Sequence, residues 1–191
     1  MEREQILRAI QLKDLKRFKS ASIELRADKE IGLLAVKRNG MWFRYLSTEL
    51  RNDKEIIFAA VNKNPFAIPL VSYKLKRNRE FALEAVKNHP DFFNDYELKK
   101  SFNDDEEIVR AAMESNCRNF SGASERLRNN KEIALIAIKK APDLIREVSD
   151  EIRKLIEHTD NPASTLESII EKEKLEARHG INSQKTIPDA L

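Results

Sequence analysis

The sequence predicts an all-α fold, a helical-repeat solenoid of about five 25-residue units with degenerate end caps. A glutamate followed by an apolar residue returns at a nearly constant spacing, with an aspartate or asparagine two positions before it and an alanine five positions after it. Glycine and proline number only four and six in 191 residues, which argues against a β-rich fold with many tight turns. The repeated glutamates are Glu30, Glu55, Glu80, Glu107 and Glu132, at spacings of 25, 25, 27 and 25 residues.

Each unit is predicted to begin with a helix. The aspartate or asparagine can accept hydrogen bonds from the free N–H groups of the first turn, and the glutamate suits the positive end of the helix macrodipole. Apolar residues one, five and six positions after the glutamate form one stripe, and its alanine lets a neighbouring helix approach closely. The predicted N-caps are Asp28, Asp53, Asn78, Asp105 and Asn130.

This first helix is predicted to end at a recurring glycine or proline. Glycine can end a helix through the left-handed conformation, and proline cannot continue a helix but can start the next one. A cysteine stands at this position in the fourth unit. The residues are Gly40, Pro65, Pro90, Cys117 and Pro142.

The second half of each unit carries an apolar residue 13 positions after the glutamate and then a serine. We interpret the serines as N-caps of a short final helix, and Pro69 supports a second half that is broken into pieces. The third unit has Glu97 in place of the serine. The apolar residues are Phe43, Ile68, Phe93, Phe120 and Ile145, and the serines are Ser47, Ser72, Ser124 and Ser149.

Both ends of the array depart from the pattern, as terminal repeats of solenoids do. Residues 1–27 are predicted to form a degenerate capping repeat, with Phe18, Ser22 and Leu25 in register, and residues 28–153 the five repeats. Residues 154–179 are predicted to hold a capping helix that starts at Asn161-Pro162 and stops at Gly180. Residues 180–191 have the composition of a flexible tail.

One irregularity lies between Pro90 and Glu107, where two extra residues fall in an acidic and aromatic stretch, DFFNDYELKKSFNDDEE. Three interpretations stay open: an enlarged turn with solvated carboxylates, a patch that contacts a partner, or a loop for a divalent ion. The stretch lacks the alternating oxygen ligands and the central glycine of an EF-hand loop.

The segments LRADKEI from Leu25 and LRNDKEI from Leu50, with the later Ala-Val, Gly or Pro, and Ser, resemble a family of helical repeats catalogued as domain of unknown function 4116. The resemblance covers about residues 18–153 and is weakest in the third unit. It implies a tandem helical fold and supplies no catalytic residue.

No pattern of catalytic chemistry is found. The single cysteine, Cys117, excludes an internal disulfide, and the three histidines, His89, His158 and His179, form no H-E-x-x-H motif. The glycines are too dispersed for a phosphate-binding loop, and the serines recur too regularly to be nucleophiles. The sequence therefore predicts no enzyme activity, cofactor, metal or small-molecule substrate. Without an apolar run at the N-terminus or one long enough to span a membrane, we expect a cytoplasmic protein with no membrane contact.

Two binding hypotheses follow. The first is a protein-binding module, such as a scaffold or a small inhibitor or effector that docks on a larger target. Its contacts would come from large residues that break the repeat pattern, although each could equally belong to the core. These candidates are Trp42, Tyr45, Tyr73, Phe92 and Tyr96.

The second hypothesis is nucleic-acid binding by a ladder of basic residues one repeat apart. Residues 1–27, which include Lys16 and Arg17, add a local net charge of +3. The same ladder could instead pair with the repeated glutamates: a solvent-facing column without carboxylates would favour nucleic acid, and glutamate pairing would favour protein. The ladder comprises Arg26, Arg51, Lys76, Arg128 and Arg153.

Overall fold

The structure, a computed structural model, describes residues 3–184, with side chains as far as residue 179. The regular elements in this range are all helical, which confirms the predicted all-α repeat fold. The α-helices are α1 (Arg3–Gln11), α2 (Leu15–Lys19), α3 (Ile23–Ala27), α4 (Lys29–Arg38), α5 (Lys54–Lys63), α6 (Tyr73–Lys76), α7 (Arg79–Asn88), α8 (Tyr96–Phe102), α9 (Glu106–Ser115), α10 (Glu125–Arg128), α11 (Lys131–Lys140), α12 (Asp150–Ile156) and α13 (Pro162–Gln184). Short 3-10 helices span Gly40–Tyr45, Leu50–Asn52, Pro65–Leu70, Pro90–Asn94, Cys117–Gly122 and Pro142–Arg146.

The chain divides into two compact units, Met1–Asn103 and Asp104–Leu191, called here the N-terminal unit and the C-terminal unit. The division falls inside the predicted array, between the third and fourth repeats. Within the N-terminal unit, α1 packs on α4 and α4 on α5. Within the C-terminal unit, α11 packs on α13, and each repeat there also carries a 3-10 helix packed on its first helix.

The first helices α4, α5, α7, α9 and α11 have ten residues each and begin at the predicted caps. The Asp53 carboxylate, for example, accepts hydrogen bonds from the N–H groups of Glu55 at 2.9 Å and Ile56 at 3.3 Å. The apolar stripe also forms as predicted, since its alanines are fully buried in all five helices. Local capping and periodic burial together fix these helices.

The recurring glycine or proline, replaced by Cys117 in the fourth unit, directly follows the C-cap of each first helix and starts a 3-10 helix. The prediction that glycine ends the helix in the left-handed conformation is wrong, because no described glycine has a positive φ. Gly40 has a different role: a Cβ there would lie 2.3 Å from the carbonyl oxygen of Ala60 in α5. Glycine is required because the next first helix approaches so closely.

The serine column caps the final helices and also joins successive parts of the chain. The Ser72 hydroxyl accepts from the N–H of Leu75 at 3.4 Å and donates to the Asn52 side chain at 2.9 Å. Ser124 and Ser149 cap α10 and α12 in the same way, which confirms the predicted caps. In the first unit, the Ser47 hydroxyl accepts from the N–H of Leu50 at 3.3 Å, and the short final helix is a 3-10 helix.

The third unit accommodates its extra residues in a longer final helix. Asp95, two positions before the serine column, caps α8 by accepting from the N–H groups of Glu97 at 3.1 Å and Leu98 at 3.3 Å. Helix α8 has seven residues, whereas α6 and α10 have four. The interpretation as an enlarged turn is therefore wrong, because an earlier cap lets the helix run longer.

The apolar residue of the second half is buried as predicted in four units. In the fifth, Leu144 is 4% exposed and takes the core position, while Ile145 is half-buried. The prediction is wrong for Ile145, whereas the position before it is buried in every unit, as Trp42, Ala67, Phe92, Asn119 and Leu144.

The two ends cap their own units. In α1, Ile6, Ala9 and Ile10 are buried, as the degenerate first repeat predicts. At the other end, Asn161 accepts from the N–H of Ser164 at 3.1 Å, and Leu166 of α13 is fully buried.

Helix α13 does not stop at Gly180 but continues to Gln184, so the predicted helix end is wrong. A glycine inside a helix costs only about 1 kcal/mol and needs no left-handed backbone, so it can be passed through. Residues 185–191 of the predicted tail lie outside the described residues.

Candidate functional site

Two large aromatic side chains stand in solvent on the N-terminal unit. Tyr73 is 66% exposed and Tyr96 is 71% exposed. They are the first residues of α6 and α8, two final helices that pack on each other. The Lys76 ammonium lies 5.7 Å from the centre of the Tyr73 ring, and the Lys100 ammonium 5.9 Å from that of Tyr96. The two predicted contact residues therefore stand at the starts of two neighbouring helices, each beside a cation.

Two other predicted contact residues belong to the core. Trp42 is 3% exposed and stacks on Phe18 at 4.9 Å between ring centres. Phe92 is fully buried, with its ring 6.0 Å from that of Phe81 in an edge-on arrangement. Their prediction as partner contacts is wrong, because reaching them would require opening the core. Tyr45 is half-buried, with the Lys19 ammonium 5.0 Å from its ring centre.

Arginine side chains of the basic column lie in the seams, the places where consecutive segments of the chain meet. Arg26 donates to the carbonyl oxygens of Ala21 at 3.2 Å and Tyr45 at 3.3 Å. Arg128 donates to the carbonyl oxygen of Glu147 at 3.3 Å, and Arg153 to that of Arg146 at 2.8 Å. Four members of the column are half-buried and Lys76 is buried. The column thus forms neither a solvent-facing ladder nor pairs with the repeated glutamates.

Lys76 is the one lysine in this column, and it has a different partner. Its ammonium lies 2.8 Å from the carboxylate of Asp95, and the two side chains are only 3% and 8% exposed. The same ammonium is 3.4 Å from the carbonyl oxygen of Pro69. A buried charge needs such a partner, so the Asp95 carboxylate both caps α8 and neutralises Lys76.

The repeated glutamates pair with basic residues that the sequence analysis did not single out. Glu55 lies 2.9 Å from the ammonium of Lys29, which directly follows a helix cap. Glu80 lies 4.0 Å from Lys54, at the same position one unit later. The sequence carries a signal for this pairing, because a lysine recurs directly after the helix cap. These exposed pairs add little stability, but they cancel much of the surface charge near the first turns.

Positive charge is concentrated in one unit. Residues 1–103 carry 21 basic and 14 acidic side chains, a net charge of +7, whereas residues 104–191 carry 14 basic and 18 acidic, a net charge of −4. Lys16 and Arg17 lie on the exposed surface of α2, where Arg17 is 3.6 Å from Asp14. The positive excess at residues 1–27 therefore belongs to a compact unit that is positive as a whole.

The structure adds exposed apolar residues that the sequence analysis missed. Phe66 is 79% exposed, the largest fraction among large apolar side chains in the described part of the chain. Ile23, the first residue of α3, is 69% exposed. A signal existed for Phe66, since three of the four equivalent residues, Asp91, Arg118 and Asp143, are charged and only the fourth, Met41, is apolar.

Within residues 3–184, the structure shows where the side chains that could ligate a metal ion lie, and also where Cys117 and His89 lie. This range holds no group of three or more His, Cys, Asp or Glu side chains arranged to hold a metal ion. Cys117 is half-buried at the start of a 3-10 helix. Burial lowers the pKa of His89, against the opposing charge of Asp91, and its ring lies 5.9 Å from that of Phe58. In the same range, no helix is both long enough and apolar enough to cross a membrane.

Comparison with known proteins identifies one family. The sequence model of the family described as Domain of unknown function (DUF4116) matches residues 2–51, 53–99 and 105–153. Each matched segment spans two of the 25-residue units, and the first includes the degenerate N-terminal repeat. No curated protein and no solved structure matches the chain. Because the matched segments cover most of the chain, the protein belongs to the DUF4116 family of helical repeats.

Proposed function

We propose that this chain is a non-enzymatic protein-binding module, an inhibitor or effector that docks on a larger target through the N-terminal unit. The observation that carries the proposal is the exposure of Tyr73 and Tyr96 on the adjacent helices α6 and α8. Tyrosine supplies a large contact area at low entropic cost and is enriched among residues that dominate binding energy.

The fold does not require these tyrosines. The first residue of the final helix is Ile23 in α3, Glu125 in α10 and Asp150 in α12, so this position accepts apolar and acidic side chains alike. In repeat proteins, positions free of packing constraints are those that can carry function. Two solvent-exposed tyrosines in successive 25-residue repeats are therefore best explained by contact with a partner.

A pull-down with the full chain tests the proposal. Wild-type bait is expected to retain a partner protein after nuclease treatment. Bait carrying Tyr73→Ala and Tyr96→Ala together is expected not to retain it. Ile23→Ala is the matched control, because Ile23 is 69% exposed at the first position of α3. Thermal unfolding should show all three proteins equally folded. Equal recovery by the tyrosine variant and the control would contradict the proposal.

Nucleic-acid binding is the second candidate, supported by the net charge of +7 on residues 1–103 and by Lys100 beside the exposed ring of Tyr96. Bases can stack on exposed aromatic rings while cations contact phosphates. Fluorescence anisotropy with a single-stranded oligonucleotide would separate the two. Tight binding that weakens steeply with salt and depends on Tyr73 and Tyr96 would replace the protein-binding proposal.

A further inference from the structure

The solvent-facing sides of α1, α4 and α5 form two adjoining depressions in the N-terminal unit. The first, of about 460 Å³, is lined by Ile10, Gln11, Leu34, Lys37 and Arg38. The second, of about 490 Å³, is lined by Lys37, Glu55, Phe58, Ala59, Asn62 and Lys63. Because Lys37 borders both, the depressions form one continuous surface, called here the first-helix groove.

The floor of the first-helix groove is apolar. Leu34 is 43% exposed, four positions after the repeated glutamate of α4, and Ala59 holds the same position in α5. Phe58 lies beside Ala59 and is half-buried. The equivalent residue of α7 is Glu84, which binds Lys54, so this apolar row does not extend into the third unit. The fold leaves this apolar surface open to solvent.

The rim of the groove carries unpaired positive charge. Lys37 and Lys63 are exposed, and neither forms a hydrogen bond or ion pair with the residues that the structure describes. The one carboxylate of the lining, that of Glu55, lies 2.9 Å from Lys29 and is therefore already engaged. An apolar floor below free ammonium groups is complementary to apolar side chains flanked by carboxylates.

We propose that the first-helix groove binds an acidic amphipathic helix of a partner protein, with one apolar side chain in each depression and carboxylates at Lys37 and Lys63. Packed helices lie about 8–10 Å apart, which sets the spacing of the two depressions. Apolar anchors seven residues apart on a helix are separated by roughly 10 Å and match that spacing. The groove is a second surface, beyond the tyrosine face of the proposed function, and requires neither tyrosine.

A selection from a random displayed peptide library against the immobilised full chain tests this inference. Peptides are counter-selected on the full chain carrying Leu34→Glu and Lys37→Glu. The expected winners carry two apolar residues seven positions apart among aspartate and glutamate. Winners that are neutral or basic, or the absence of any peptide that distinguishes the two baits, would overturn the inference.

Fluorescence anisotropy with the winning peptide then locates its site. Leu34→Glu, and Lys37→Glu together with Lys63→Glu, are each expected to weaken binding by about tenfold or more. Leu155→Glu is the matched control, because Leu155 of α12 is 47% exposed, and it should leave affinity unchanged. Tyr73→Ala with Tyr96→Ala should also leave it unchanged.

These variants separate the two proposals. Peptide binding that is lost in the tyrosine variant and kept in Leu34→Glu would overturn the groove inference while supporting the tyrosine face. A single-stranded oligonucleotide that binds more tightly than the peptide and displaces it would point to nucleic acid instead. If oligonucleotide binding is then lost in the variant with Lys37→Glu and Lys63→Glu but kept in Leu34→Glu, the groove is assigned to nucleic acid and the inference is overturned.

Discussion

Arg77 donates a hydrogen bond of 2.8 Å to the carboxylate of Glu97, and this pair replaces an asparagine–serine pair used elsewhere in the chain. Asn52 accepts from the hydroxyl of Ser72 at 2.9 Å, and Asn129 from that of Ser149 at 2.6 Å. The partners are 20 residues apart in all three pairs. The missing serine of the third unit is therefore half of a coupled exchange.

Exchanging both residues should show this coupling. Arg77→Asn or Glu97→Ser alone is expected to cost at most about 0.5 kcal/mol, because Arg77 is 61% exposed and solvent screens the pair. The double variant should recover most of the loss, since Asn and Ser form the usual pair. Urea unfolding of the four proteins in a double-mutant cycle measures the coupling. Strictly additive costs would show that the two positions act independently.

The buried pair of Lys76 and Asp95 should matter far more. Asp95→Asn keeps a capping oxygen but leaves the Lys76 ammonium uncompensated in the interior, so we expect a loss of about 3 kcal/mol. Asp150→Asn is the control, because Asp150 is 81% exposed in its pair with Arg153. Chemical denaturation should show a change of less than about 0.5 kcal/mol for this control. Similar losses in both variants would contradict the distinction by burial.

Ala141 offers a site for stabilisation. Its backbone angles, φ −147 and ψ 99, match those of Asn116, φ −144 and ψ 101, whose side chain caps the following 3-10 helix. Ala141→Asn should add this cap and stabilise the protein by about 0.5–1 kcal/mol. Asn64→Ala, which removes such a cap before Pro65, should cost a similar amount. Thermal unfolding of both variants measures this. A loss in Asn64→Ala without a gain in Ala141→Asn would show that the site cannot accept the cap.

His89 should make stability fall in mild acid. Burial lowers its pKa from 6.5, so the folded protein binds this proton less readily than the unfolded chain does. The stabilisation is thus fully present above about pH 6.5 and is lost as pH falls through the lowered folded pKa. Urea unfolding between neutral and mildly acidic pH should show a smaller decline for His89→Asn than for the wild type. Parallel declines would assign the effect to other groups.

The helices were predictable because their determinants are local. A cap such as Asp53 interacts with N–H groups two and three residues away, and the apolar stripe repeats within a single helix. The candidate contacts were only partly predictable. Trp42 and Tyr73 both break the repeat pattern, yet one is 3% exposed and the other 66%. Their burial depends on neighbours that are distant in sequence.

The sequence by itself determined the repeat, its caps and the all-α fold, because these follow from hydrogen bonds and periodicity within about ten residues along the chain. The tertiary structure alone decided that Arg26 turns to carbonyl oxygens in a seam, that Gly40 is needed for contact with Ala60, and that Leu34 borders an open groove. Each of these three features depends on how closely one 25-residue repeat packs on the next. The distance between repeats is set by the side chains of both repeats together and is not encoded in either alone.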